Sequence, residues 1–159
     1  MDMLSYRLIL MKHGGNSMRA FLSHSSIDKA IVIGVHKELE AESTWLDRAE
    51  IEWGDLFLER IAEGITAATD FVLFWSKAAS NSEWVRLEIN MAFIQALRRK
   101  AIRLRIVMLD DTPLPLYLQP FQVFSVLGSA SPISDILQKL RPLLREPARS
   151  VRSRFVPSW

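Results

Sequence analysis

Phe71-Val72-Leu73-Phe74-Trp75-Ser76 leaves little choice of fold class. Alternate side chains of a strand point to opposite sides, so five large apolar residues in succession leave neither side for water. The run predicts a central strand covered on both faces, as in the parallel sheets of α/β proteins. On its N-terminal side, Ala20-Phe21-Leu22 is a first strand that stops at Ser23-His24-Ser25-Ser26. Ser25 and Asp28 form a capping-box pattern there, ahead of Ile27, Ile31, Val35 and Leu39 at helical spacing. Thr44-Trp45-Leu46 reads as a second strand ending at Asp47. The polar loop Arg48 to Trp53 then leads through Gly54 and an N-cap at Asp55 into a helix carrying Leu58, Ile61, Ala62 and Ile65. On the C-terminal side, residues 76–81 are a loop and 82–99 a helix. Ile102 to Leu109 is a fourth strand and Val123 to Leu127 a fifth. Ser131-Pro132 starts a last helix with Ile133, Ile136, Leu137 and Leu140, which Pro142 should end or kink. Strands alternating with helices predict a flavodoxin-like three-layer domain with a five-stranded, mainly parallel sheet of order 2-1-3-4-5. Its ligand crevice lies beyond the carboxyl ends of strands 1 and 3.

Within the helix at 82–99, Glu83, Arg86 and Asn90 share a polar stripe, and Glu88 falls roughly opposite it, among Trp84, Val85, Met91 and Ala92. A carboxylate on the apolar side loses hydration unless something inside the protein satisfies it. Two readings follow: a core acid held by an arginine or a backbone amide, or an acid serving a ligand. The predicted topology brings Ser23, His24, Ser25, Ser76 and the first turns of this helix to one edge of the sheet, which favours the ligand.

At 159 residues the chain is long enough for one domain with a full core, and 49% of it is hydrophobic. Residues 1–18 read as an N-terminal arm or alternative start, with 12–17 a flexible link. Residues 19–145 read as the folded domain, and 146–159 as a basic Pro/Ser/Arg tail or linker. The absence of cysteine fits a reducing compartment, and no apolar run reaches the roughly 20 residues that span a bilayer, so a cytoplasmic protein without a membrane contact is expected. A net charge of +2 is too small to indicate direct nucleic-acid binding, and the clusters at 98–105 and 141–154 read as solvated helix ends and tail. His13, His24 and His36 have no ligand-like spacing, so no metal site is expected. A phosphoacceptor receiver shares the topology but needs acids where this chain has Ser23-His24 and Ser76.

Three segments in this order, Arg19-Ala20-Phe21-Leu22-Ser23-His24-Ser25-Ser26-x-Asp28, Trp45-Leu46-Asp47 through Ile51 and Gly54, and Ser82-x-Trp84-x-x-x-Glu88, resemble the TIR (Toll/interleukin-1 receptor) family, particularly its bacterial, NAD-cleaving members. The resemblance spans about Arg19 to Leu144. It implies the same fold and an NAD+ nucleosidase that breaks the nicotinamide–ribose bond, NAD+ being substrate and no cofactor being required. It implies that Glu88 is catalytic, that Trp84, Phe21, Ser23, His24 and Asp47 bind substrate, and that Ile51, Trp53 and Gly54 belong to a loop that gates the pocket and joins protomers. Where some NAD-cleaving relatives carry lysine in that loop, this chain has Glu50. The family further implies activation by self-assembly, a separate sensor protein or fused C-terminal domain as partner, and a role in bacterial anti-phage immunity.

The residue types suit that chemistry. Nicotinamide leaves as a neutral base, so no general acid is needed, and positive charge builds on the ribose. A carboxylate facing that charge stabilises the transition state more than the ground state. Plainer roles exist for the neighbours: Ser25 as a helix cap, Asp47 as a turn acid, Trp45 and Trp53 as packing residues. A second class of function, a non-catalytic module that recruits other TIR domains through the same loop, is separated from the first by whether the protein releases nicotinamide.

Overall fold

The computed structural model describes residues 8–13, 16–42, 57–99 and 102–145. In chain order the elements are β1 (Leu8–His13), β2 (Asn16–Ser23), α1 (Lys29–Glu42), α2 (Phe57–Ala67), β3 (Asp70–Trp75), a single turn α3 (Lys77–Ser80), α4 (Glu83–Arg99), β4 (Arg103–Met108), a 3₁₀ turn (Leu116–Leu118), β5 (Gln122–Ser125) and α5 (Pro132–Arg145).

β2, β3, β4 and β5 are adjacent and parallel, with Phe21 beside Phe71, Leu73 beside Ile106 and Val107 beside Phe124. The described sheet nevertheless differs from the expected one at its edge. Its remaining strand is β1, antiparallel to β2 with His13 opposite Asn16, while the expected strand at 44–46 lies outside the described residues. Residues 16 and 17 are therefore sheet and not link. Gly14-Gly15, which falls between the paired strands in the sequence, is a dipeptide that two-residue hairpins favour.

The apolar run behaves as its composition requires: all six residues of β3 are buried. Phe71, Leu73 and Trp75 join a core with Ile61 and Ile65 of α2 and Val85, Ile89 and Ala92 of α4. Val72 and Phe74 join a second core with Val32, Val35 and Leu39 of α1 and Ile136, Leu137, Leu140 and Leu144 of α5. Full burial of one such side chain contributes about 1.5–3 kcal/mol relative to exposure, so this strand outweighs any single polar contact in the molecule. α1 and α5 meet at Gly34, where a Cβ would lie 2.4 Å from Ile133 Cδ1, so any larger residue requires the end of the Ile133 side chain to move.

α5 continues through Pro142 to Arg145 instead of stopping. The carbonyl deprived of its amide belongs to Gln138, an exposed residue where water replaces the lost donor. Ile27 is 80% exposed and off the core face, because α1 begins only at Lys29.

The amino ends of the parallel strands are tied by charge. Asp70, wholly buried, accepts hydrogen bonds from Arg103 (Nη2 to Oδ2, 2.9 Å) and Arg105 (Nε to Oδ1, 3.4 Å), and Thr69 Oγ1 donates to Oδ2 at 2.9 Å. Arg105 also donates to the amide oxygen of Gln122, so one carboxylate links β3 to β4 and, through Arg105, to β5.

Candidate functional site

Polar groups gather at the opposite, carboxyl ends of β2 and β3. Ser23, His24, Ser25 and Ser76 are all buried there, and Glu88, two turns into α4, has none of its surface exposed. α4 packs on α2 and reaches β2. Ser23 follows Phe21 by two residues and so faces the same layer, the one shared by α2 and α4.

The strand-end residues are held in different ways. Ser23 Oγ is buried and has no hydrogen-bond partner among the described residues, an arrangement that native interiors rarely tolerate without a reason. His24 Nδ1 lies 3.1 Å from the Leu22 carbonyl. A carbonyl only accepts, so Nδ1 carries a proton. Ser25 Oγ donates to Asp28 Oδ2 at 2.7 Å and accepts from the Asp28 amide at 3.3 Å, so the carboxylate is met by the serine hydroxyl and not by the backbone amide that a capping box uses. The same Asp28 oxygen accepts from Ser76 Oγ at 2.5 Å, and Ser76 Oγ accepts from the Ala79 amide at 3.0 Å as the N-cap of α3.

Of the residues singled out in the sequence, Ser23 and His24 are buried at the carboxyl end of β2, and Glu88 is buried on α4. Trp84 is one turn before Glu88 and 40% exposed, an indole at the rim and not a wall of the interior. Phe21 is a core residue, stacked on Phe71 with ring centroids 5.7 Å apart and lying under Gly64. Asp47, Ile51, Trp53 and Gly54 lie outside the described residues. Asp28 and Ser76 were visible only as a cap and a strand end; the bond between them spans 48 positions and has no local signature.

On the other side of the first turns of α4 is a cavity of about 430 Å³, bordered by Trp75, Val85, Arg86, Ile89, Thr112 and Tyr117 among others. Neither Glu88 nor Ser23 borders it, so its size says nothing about the polar cluster. Trp75 Nε1 donates to the carbonyls of Thr112 and Pro113 there, at 3.2 and 3.3 Å. Among the described residues no group of three or more His, Asp or Glu side chains is placed to hold a metal ion, and no helix is long and apolar enough to cross a membrane.

The sequence model of the TIR domain family matches residues 20–140. The chain belongs to that family. The structure of this TIR domain is similar to the crystal structure of the TIR domain of the Toll-related receptor TRR-2 from the lower metazoan Hydra magnipapillata. The TM-score is 0.61 and the identity 13%, over 79% of this chain and 97% of that one. At that identity the likeness speaks for the fold. No curated protein is similar enough to count as a match. Membership accommodates both NAD-cleaving and scaffolding TIR domains, and the polar cluster bears on the choice between them.

Proposed function

We propose that this TIR domain is an NAD+ nucleosidase in which Glu88 is the catalytic carboxylate. The observation that supports it most is that carboxylate, withdrawn completely from water in the layer that also contains the orphan hydroxyl of Ser23. An acid that meets a cationic sugar has a use for low dielectric, where its field on the substrate is strongest.

The reaction needs little else. The C–N bond between ribose and nicotinamide breaks with its electron pair going to the ring nitrogen, which neutralises the leaving group. Glu88 faces the positive charge left on the ribose and holds a ribose hydroxyl. Ser23 supplies a further hydrogen bond to substrate, His24 borders the nucleotide, and Trp84 closes the rim. Capture by water gives ADP-ribose and releases a proton; capture by a nucleophile on the nucleotide itself gives a cyclic product. The loop Asp47 to Gly54 completes the pocket and, through Ile51, Trp53 and Gly54, joins it to the next protomer, so turnover depends on assembly, as in an immune effector.

Purified protein at high concentration, or driven to assemble, should release nicotinamide from NAD+, and Glu88→Ala should lower the rate by about 100-fold or more, followed by chromatography of nicotinamide. A scaffold is the second reading, favoured by apolar side chains left on the surface: Leu116 is 81% and Leu97 68% exposed, with Tyr117 and Ile94 about half so. Assembly without turnover under any condition would establish it.

A further inference from the structure

We infer that Asp28 is a positioning residue that sets the width of the substrate mouth, an inference that rests on the NAD+-cleaving reading. One carboxylate oxygen, Asp28 Oδ2, accepts from Ser25 Oγ at 2.7 Å and from Ser76 Oγ at 2.5 Å. Both hydroxyls are buried, and hydroxyl-to-carboxylate bonds of this length are the strong, charge-assisted kind. The two serines stand on different walls. Ser25 ends the segment that carries Ser23 and His24, and Ser76 begins the segment that leads through α3 to Trp84 and Glu88. Three oxygen atoms therefore fix the spacing between the wall with the strand-end hydroxyl and the wall with the acid. A helix cap alone does not explain this. Ser25 Oγ and Asp28 already bond each other in the turn before α1, and the Ala79 amide already uses Ser76. What the bond from Ser76 to Asp28 adds is a tie between the segments that leave the carboxyl ends of the adjacent strands β2 and β3.

Asp28 acts here through the serines and not by touching substrate, so its loss should weaken substrate placement more than the chemistry at Glu88. Asp28→Ala should raise KM for NAD+ by about 10-fold while kcat stays within about 3-fold, since small displacements of positioning groups are costly even far from the reacting atoms. Asp28→Asn keeps a carbonyl oxygen with two lone pairs at the same place and should restore KM to within about 3-fold of wild type. Ser76→Ala cuts the cross-wall arm together with the α3 cap, spares the Ser25–Asp28 pair, and should move KM in the same direction. The experiment measures kcat and KM on the assembled full chain, together with NAD+ affinity by calorimetry in a Glu88→Ala background with and without Asp28→Ala. A raised KM and weakened affinity in both Asp28→Ala and Ser76→Ala, rescued by Asp28→Asn, support the inference. Active wild type with unchanged KM in both variants, even with a lowered melting temperature, overturns it and leaves Glu88 chemistry standing. Wild type that neither cleaves NAD+ nor, as Glu88→Ala, binds it overturns both.

Discussion

At Ser23 stability and function make opposite demands. A buried hydroxyl without a hydrogen bond costs about 1–3 kcal/mol, and Ser23 Oγ is such a group. Ser23→Ala should therefore leave the unfolding free energy unchanged or raise it in urea titrations, while weakening NAD+ binding in the same protein. Loss of stability would mean that the hydroxyl serves the fold. Glu88 was legible because helical geometry is rigid: the exposure of Glu83, Arg86 and Asn90 and the burial of Val85, Glu88 and Ala92 follow from 100° per residue. Trp84 was less so. It shares the face of Glu88, but it sits in the first turn of α4 and is 40% exposed, a position along the helix axis that angular spacing does not report. The stacking of Phe21 on Phe71 and the pairing of Asp28 with Ser76 are tertiary facts, invisible to any local pattern.

The short helix α3 illustrates how elements are anchored at their ends. Besides its Ser76 cap, its first amide, that of Lys77, donates to Asp110 Oδ2 at 2.9 Å, and the Thr112 amide donates to Asp110 Oδ1 at 2.9 Å. Desolvation, the largest single influence, pushes the Asp110 carboxyl up. The bonds from Thr112 and Lys77 and the nearby Lys77 charge together outweigh it, and the carboxyl ends below its ordinary value. A lowered native value means that the unfolded chain takes up the proton first as pH falls. The stabilisation is present above the unfolded value of about 3.9 and disappears as pH drops through the lower native one. Asp110→Asn should accordingly flatten the fall of stability below about pH 4, read from urea midpoints at pH 3 and pH 6; an unchanged slope would show that the contact is energetically idle. Among the elements themselves, β3, α2 and α5 could be read from the sequence because each has a single strong period or an uninterrupted apolar run. β1 could not, since Gly14-Gly15 beside Lys12 and His13 has the composition of a linker as much as of a hairpin, and only pairing with β2 distinguishes them. α3 escaped because four residues are too few for a periodic signal.

Over the whole molecule the heaviest electrostatic load falls on Asp70. Its carboxylate serves two guanidiniums that are themselves largely buried. Removing the carboxylate leaves that positive charge in place, which costs about 3–5 kcal/mol, a large part of the 5–15 kcal/mol that holds a typical domain together. Asp70→Ala should show that loss in chemical denaturation, and a loss under about 1 kcal/mol would mean that water has taken the place of the acid. A sheet clad on both sides also separates duties between its two skins. The skin made by α2 and α4 tolerates a buried acid and an idle hydroxyl, while the one made by α1 and α5 closes over Val32, Val35, Leu39, Ile136, Leu140 and Leu144, all fully buried. The second skin can act as ballast: it keeps the protein folded while the first stays tuned for a ligand, and changes to the tuned side need not capsize the whole.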